Sequence, residues 1–305
     1  MNPPTDPHHF AGLAVWSDHQ SKALSHLRKL TVKKEEELVQ CEVDRAIVFV
    51  EPRKHPCSEF VLRNFRHFMP TWKIIVVHGT ENEEFMKTIC SSIKGSFEFL
   101  NSNVSNLPNQ SYNTLFTAPA FWELLPSKVL IAQTDTLLMK PATEHVEAFL
   151  SKYAFVGAPW SYLCQRCQKP LAKKCGHMID QDIVCSLAPA MVGNGGLSVR
   201  DSNIMKEICQ SSCLDFLPCP KISQLWKVPQ GRTIVKGTTN EDVFFCKSIA
   251  LRSLPMPSRK EALEFAIEQV GPLEWSDSPC AVGLHKPWMY LPLPLVSALF
   301  EQIKY

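Results

Sequence analysis

The chain has 305 residues, of which 45% are hydrophobic, with 32 basic and 30 acidic side chains. This balance leaves no concentrated basic surface, which excludes nucleic acid as a partner. No apolar run reaches the ~20 residues of a membrane span, and the N-terminus lacks the apolar centre of a signal peptide. We therefore expect a soluble, cytoplasmic protein with no transmembrane segment.

The chain divides into three parts by composition. Residues 1–40 predict an N-terminal arm, rich in Pro and His, followed by a helix from about Ser17 to Leu38. Residues 41–290 predict a single α/β domain, a size that can bury a large core. Residues 291–305 predict a C-terminal helix.

Short apolar runs alternate with helix-like stretches in the first half of the domain. The runs are 46–50, 73–78 and 129–132, and the helix-like stretches are 60–68, 83–90 and 112–125. This alternation is typical of βαβ units around a mainly parallel central sheet flanked by helices. Gln133-Thr134-Asp135 then emerges at the carboxyl end of a strand, the edge where open α/β sheets bind ligands.

The second half is less regular. A strand-like segment at 155–160 leads into an insert at 161–190 that carries Cys, Lys and Pro. Asn194-Gly195-Gly196 predicts a turn that feeds a strand at 197–200. Further helices are predicted at 201–213, from residue 239 or 240 onward, and at 259–270.

Seven short motifs follow one another along residues 44–290. They are Tyr112-Asn113, Phe121-Trp122, Gln133-Thr134-Asp135, Gly157-Ala158-Pro159-Trp160, Gly193-Asn194-Gly195-Gly196-Leu197-Ser198, Glu241-Asp242-Val243-Phe244-Phe245 and His285-Lys286-Pro287-Trp288. In this order they resemble an uncharacterised glycosyltransferase-like domain family. The resemblance implies a GT-A-like fold and a hexosyltransferase-like enzyme that takes a nucleotide-sugar donor and a glycan or other hydroxyl acceptor. It does not name the sugar.

The resemblance implies a metal-diphosphate site at Asp135. In GT-A enzymes an Asp-x-Asp motif holds Mn²⁺ or Mg²⁺ against the nucleotide diphosphate, because the leaving group develops negative charge. Here Gln133 replaces one carboxylate, so we expect a lower metal affinity, or basic side chains in place of the metal. The structural alternative is that Asp135 caps the following turn.

Other donor-binding residues are expected around Asp135. The resemblance implies His285 as a second metal ligand, which favours Mn²⁺ over Mg²⁺ because imidazole nitrogen suits later metals better. Lys286, Arg53 and Asn113 are expected on the donor side, with the two cations on phosphate. The alternatives are a loop histidine packed on tryptophan and a solvent-exposed arginine.

The Glu-Asp-Val string resembles the position that supplies the catalytic base of inverting GT-A enzymes. Asp242 is the predicted base and Glu241 the alternate, because a base must reach the acceptor hydroxyl and needs a raised pKa. Carboxylates in the first turn of a helix are also favoured by the helix dipole without any chemistry. A retaining transferase and a catalytically silent sugar-binding module remain alternatives.

The sugar is expected near the glycine-rich turn. Asn194, Gly195 and Gly196 would let backbone approach a sugar closely, since glycine lacks a Cβ and tolerates positive φ. Trp160 offers an aromatic face for stacking. The turn as a plain hairpin and the tryptophan as core are the alternatives.

The insert contains Cys164, Cys167, Cys175 and His177, with Cys185 beyond them. Thiolate and imidazole ligands in two pairs predict a structural zinc site. The alternative is a loop of free thiols, as expected for the remaining cysteines of a protein in a reducing compartment.

Overall fold

The computed structural model describes residues 7–30, 44–160, 193–210, 213–214, 233–234, 240–270 and 281–305. The strands of this part of the chain are β1 (Arg45–Val50), β2 (Lys73–His78), β3 (Phe97–Asn101), β4 (Lys128–Ala132), β5 (Thr136–Leu138), β6 (Phe155–Gly157), β7 (Leu197–Asp201), β8 (Cys213–Leu214), β9 (Thr233–Ile234), β10 (Ala266–Ile267) and β11 (Gly283–His285).

Helices surround these strands. They are α1 (Pro7–Leu30), α2 (Ser58–Phe68), α3 (Glu83–Ser91), α4 (Asn109–Phe116), α5 (Pro119–Glu123), α6 (Thr143–Lys152), α7 (Ser202–Cys209), α8 (Glu241–Leu251), α9 (Arg259–Phe265), α10 (Pro287–Tyr290) and α11 (Leu293–Glu301). Within the ranges given above, no helix combines the length and apolarity needed to cross a membrane.

The central sheet has six strands in the order β3-β2-β1-β4-β7-β6. The first four are parallel to one another, whereas β7 runs antiparallel to both β4 and β6. A smaller sheet has the order β10-β11-β5. The predicted α/β class with a mainly parallel central sheet is confirmed.

Each face of the central sheet is covered by its own apolar core. In β1, Ile47 and Phe49 pack with α1, α2 and α3, whereas Ala46, Val48 and Val50 pack with α4, α5, α7 and α8. Successive side chains of a strand point to opposite faces, so a strand covered on both sides reads as one continuous apolar run. This explains why the central strands were visible in the sequence.

Strand register aligns the ends that carry polar side chains. Phe49 pairs with Ala132, so β1 and β4 finish side by side. Leu197 also pairs with Ala132, which brings the start of antiparallel β7 to the same edge. The turn at residues 193–196 therefore meets the segment that follows β4.

Several predicted boundaries were wrong. α1 begins at Pro7 rather than near Ser17, and Trp16 is buried against Phe60, Trp288 and Phe300, so this part is no loose arm. The predicted helix at 112–125 is two helices, because the residue before Pro119 is extended. The predicted helix at 259–270 ends at Phe265, after which β10 joins the small sheet. Strand β3 and helix α6 were not predicted.

Asn64 holds strand β5 from the side that faces away from β11. Its amide nitrogen donates to the Leu138 carbonyl at 2.9 Å, and its carbonyl accepts from the Leu138 N–H at 2.7 Å. Asn64 is fully buried. It therefore replaces a neighbouring strand for one residue, directly after the segment that carries Asp135.

Asn64→Ala is expected to lower the free energy of unfolding by about 2–4 kcal/mol, since it leaves two buried backbone groups without partners. Urea denaturation measures the change. Asn203→Ala, at an exposed position of α7, is the control and should change stability by less than about 0.5 kcal/mol. Equal effects of the two substitutions would contradict this role for Asn64.

Candidate functional site

The site forms where the central sheet meets the small sheet. Asp135 lies between β4 and β5, and the pairing of Thr136 with His285 brings β11 alongside. The Lys286 N–H then donates to the Asp135 carbonyl at 3.0 Å. Lys286 has φ of 45°, a left-handed conformation that costs energy for a residue with a side chain. Backbone pairing thus places three predicted site residues together.

Asp135 is surrounded by positive charge. Its Oδ1 lies 3.4 Å from His285 Nε2, and its Oδ2 lies 3.4 Å from Lys286 Nζ. Burial by itself raises the pKa of the Asp135 carboxyl, but the charges of His285 and Lys286 outweigh burial and hold that pKa well below its ordinary value. The carboxylate is therefore ionised at neutral pH and able to bind a cation.

Glu268, which the sequence analysis did not single out, lies on the other side of His285. Its Oε1 is 3.2 Å from His285 Nδ1 and accepts from Asn194 Nδ2 at 3.1 Å. Burial lowers the pKa of His285, but the negative charges of Asp135 and Glu268 together raise it above its ordinary value. Glu268 directly follows β10, which was predicted as helix, so no strand-end signal marked it.

The arrangement fits a divalent metal that takes some of its ligands from the protein and the others from a substrate. Asp135 Oδ1 and His285 Nε2 are both buried without a hydrogen-bond partner in the structure. A Cβ on Gly196 would lie 2.3 Å from His285 Nε2 and 2.6 Å from Gln133 Oε1, so these atoms converge on one point of the turn. Oxygen and nitrogen atoms of this kind are suitable ligands for Mn²⁺ or Mg²⁺.

The protein ligands alone are few. In the described ranges, no group of three or more His, Cys, Asp or Glu side chains is placed to hold a metal ion. Mg²⁺ sites that work on nucleotides commonly use one or two carboxylates and take their remaining ligands from phosphate and water. The donor set here matches that pattern better than a site closed by protein alone.

A buried ion pair lies behind the glycine-rich turn. Arg200 Nη1 and Nη2 donate to Glu241 Oε2 and Oε1 at 2.8 and 3.0 Å. The Arg200 guanidinium also donates to the Ser198 hydroxyl and the Gly195 carbonyl. Four aromatic rings surround it at 4.7 to 5.7 Å: Phe116, Trp122, Phe155 and Phe245. Both Glu241 oxygens are thus engaged by Arg200.

Asn113 belongs to the same structural unit. Its Oδ1 accepts from the Glu241 N–H at 3.0 Å, and its side chain is buried. This contact supplies from α4 the cap that α8 lacks from Asn240. The structure thus gives Asn113 a positioning role at the start of α8, and its expected contact with the donor stays a prediction.

Asp242 contacts Gly195, the neighbour of the Gly196 that lies against His285. It is half-buried, and its carboxylate accepts from the N–H groups of Gly195 at 3.1 Å and Val243 at 2.8 Å. Burial and the negative charge of Glu241 raise its pKa from 3.8 to about 7, although the two N–H groups and Arg200 oppose the rise. A carboxyl with this pKa can both accept and release a proton near neutral pH.

The glycines of the turn are required by space. A Cβ on Gly195 would meet Glu241 Oε1 at 2.2 Å, and one on Gly193 would meet the Trp160 ring at 2.5 Å. None of the three turn glycines has positive φ, so the expected conformational reason does not apply. The side-chain oxygen of Asn194, Oδ1, accepts a hydrogen bond from the Gly196 N–H, and this bond closes the turn.

Trp160 and Arg53 lie at the borders of the site. Trp160 is half-buried. Its ring lies against Gly193, and the residue packs on the apolar core that α4, α5, α7 and α8 form on one face of the central sheet. Arg53 is 53% exposed and pairs with buried Glu51 through Nε and Nη2, both at 2.8 Å. The pKa of Arg53 is raised mainly by this bond to Glu51 and slightly by Asp135, which places Arg53 within electrostatic reach of Asp135.

Tyr112 belongs to the Tyr112-Asn113 motif, but the sequence analysis gave it no role in the site. Its hydroxyl is buried without a hydrogen-bond partner in the structure, and its ring stacks on Phe116 at 4.4 Å. Burial, followed by the charge of Glu241, raises its pKa well above its ordinary value. A buried hydroxyl that lacks a partner is a sign of a ligand atom or water.

The predicted zinc ligands, Cys164, Cys167, Cys175 and His177, lie outside the described residues, and the zinc site stays a prediction. In the ranges that the structure describes, Cys57, Cys90, Cys209 and Cys246 are not in disulfide bonds.

A family described as "Protein of unknown function (DUF5672)" matches residues 95–285. The chain belongs to this family. The DUF5672 segment runs from just before β3 to the end of β11 and includes Asp135, Asp242 and His285. No curated protein matches the chain.

Three solved structures resemble this DUF5672 protein. The galactosyltransferase LgtC, in complex with donor and acceptor sugar analogues, is 12% identical with a TM-score of 0.46, over 85% of this chain and 96% of its own. Mouse xyloside xylosyltransferase 1 is 11% identical with a TM-score of 0.45, over 80% and 97%. The glycosyltransferase GlyE of Streptococcus pneumoniae TIGR4 is 12% identical with a TM-score of 0.46, over 86% and 60%. At these values the likeness carries no conclusion about activity or ligands.

Asp242→Asn is expected to stabilise the protein at pH 8 by about 1–3 kcal/mol. The folded protein binds the Asp242 proton more tightly than the unfolded chain, so ionisation costs stability as pH rises from about 4 to 7. The gain in melting temperature should therefore be larger at pH 8 than at pH 5. Asp18→Asn, at an exposed residue of α1, is the matched control. A variant less stable than wild type at pH 8 would contradict the raised pKa.

Proposed function

We propose that the protein is a glycosyltransferase that moves a sugar from a nucleoside-diphosphate sugar to a hydroxyl acceptor with inversion at the anomeric carbon. One observation carries the proposal. A cation-binding cluster and a carboxyl with a pKa of about 7 lie on the two sides of the Gly195-Gly196 turn. Adjacent Cα atoms are only about 3.8 Å apart, so a single sugar can contact both sides.

The diphosphate is assigned to the His285 side. Asp135 and His285, with the Gln133 amide, would hold a divalent metal, and Lys286 and half-exposed Arg53 would pair with phosphate oxygens. A bound Mn²⁺ or Mg²⁺ supplies charge neutralisation to the departing nucleoside diphosphate. Lys286 remains next to Asp135 through backbone pairing, so its charge is available without movement of the chain.

The acceptor is assigned to the Asp242 side. Asp242 takes the proton from the acceptor hydroxyl while that oxygen forms its bond to the anomeric carbon. The bond from the anomeric carbon to the donor phosphate breaks, and its electrons leave with the diphosphate. Glu241 is not proposed as a base, because Arg200 occupies both of its oxygens.

The sugar itself is placed over the glycine-rich turn. Gly195 donates to Asp242 and Gly196 lies against His285, so the backbone of this turn runs between the two assigned ends of the site, and Asn194 lies beside them. Trp160 is half-buried at the border of the site, and its ring is proposed to stack on the sugar. The Tyr112 hydroxyl, buried and without a partner, is available to a sugar hydroxyl.

Substitutions on the two sides should separate donor binding from transfer. Asp242→Asn should lower turnover by about 10²–10⁴-fold and leave donor binding intact, because the amide keeps the shape but not the basicity. Asp135→Asn should weaken donor binding first. The measurement is donor hydrolysis and transfer with a panel of nucleotide sugars, with donor affinity from calorimetry. In the wild type, the rate of sugar transfer should rise with pH up to about 7, as Asp242 loses its proton, and then become constant.

Near wild-type transfer by Asp242→Asn would remove this residue as the base. A product with the donor's anomeric configuration would indicate a retaining enzyme, in which Asp242 only orients the acceptor. Donor binding without hydrolysis or transfer under any condition would indicate a catalytically silent binding module.

Metal and nucleotide are expected to bind together. With few protein ligands, Mn²⁺ alone should bind weakly, and a nucleoside diphosphate should strengthen its binding at least ~10-fold by completing the coordination shell. Mn²⁺ should support activity better than Mg²⁺, because His285 offers nitrogen. Full activity in excess chelator would contradict the metal assignment and leave Arg53 and Lys286 to neutralise the diphosphate.

A further inference from the structure

Glu268 is a buried carboxyl residue with few polar partners. Its side chain is only 3% exposed, and it has no lysine or arginine at ion-pair distance among the described residues. Its Oε1 serves both His285 and Asn194, whereas Oε2 is buried without a partner. Burying a polar group with one oxygen left without a partner is costly, so the contacts of Glu268 require an explanation beyond packing.

The contacts of Glu268 restrict the ring of His285. Nδ1 faces Glu268 at 3.2 Å and Nε2 faces Asp135 at 3.4 Å, so the imidazole lies between two carboxylates. A carboxylate against one ring nitrogen selects which nitrogen is left to bind a metal, and it orients the ring. The ring orientation seen here therefore leaves Nε2 on the side of Asp135.

Glu268 also ties the ring to the sugar side of the site. Through Asn194 Nδ2 it contacts the turn whose Gly196 lies against His285 Nε2 and Gln133 Oε1. A shift of the Asn194 turn is thus transmitted to Glu268, the carboxylate that orients the His285 ring. Glu268 Oε1 therefore connects His285, on β11 of the small sheet, to the turn that precedes β7.

We infer that Glu268 is a positioning residue that holds His285 Nε2 toward Asp135 and couples this nitrogen to the Asn194 turn. The inference rests on the proposed function, because it assigns Glu268 to the metal and diphosphate end of that site. Glu268 does not touch the reacting atoms; it acts through His285.

The test is Mn²⁺ affinity in the presence of UDP or GDP, read from the electron paramagnetic resonance of free Mn²⁺ and without any acceptor. Glu268→Gln should weaken Mn²⁺ binding about 10-fold and Glu268→Ala up to about 100-fold. Glu264→Gln, at an exposed position of α9, is the matched control and should change nothing. Glu268→Asp, which restores the charge, should recover part of the affinity.

A double-mutant cycle separates positioning from general stability. In a His285→Ala background, Glu268→Gln should weaken Mn²⁺ binding no further, since the two residues act as one unit. Full additivity, or wild-type Mn²⁺ affinity in folded Glu268→Gln protein, would overturn the inference while leaving the proposed function in place. Failure of the wild type to bind Mn²⁺ with either nucleotide would overturn the metal assignment and this inference together.

Discussion

The ion pair between Arg200 and Glu241 is the contact on which the rest of the site depends. Arg200 is fully buried among four aromatic rings, a surrounding in which a guanidinium without its carboxylate would be strongly unfavourable. The pair joins β7 to the first turn of α8, and the adjacent residue of that turn is Asp242. The pair therefore determines where the candidate base lies, and its negative partner helps to raise the pKa of that base.

Two charge environments sit side by side as a result. On one side of the Gly195-Gly196 turn, His285 and Lys286 keep Asp135 ionised; on the other, Glu241 and burial favour protonated Asp242. Two carboxyls with opposite pKa shifts within one site are typical of a division of labour between cation binding and proton transfer. The turn can keep them apart at so short a distance only because no Cβ fills the space.

The sequence predicted the elements whose signal is local. Continuous apolar runs located β1, β2 and β4, and the position after β4 correctly brought Asp135 to the carboxyl edge. The site residues that were missed depend on distant partners. Glu268 reaches His285 only when β10 pairs with β11, and the contact of Asn113 with the start of α8 requires α4 to lie beside α8. Likewise, nothing local distinguishes Glu241, which is neutralised by Arg200, from Asp242.

The pairing of β5 with β11 has a consequence for how the protein reaches its working state. Asp135 and His285 belong to strands far apart in the chain, so the contact between them closes a long loop. Contacts of such sequence separation form late and cooperatively, after the loop-closure entropy has been overcome. A nascent or truncated chain therefore has no partial version of the cluster, and a ligand that binds there stabilises the whole domain rather than one segment.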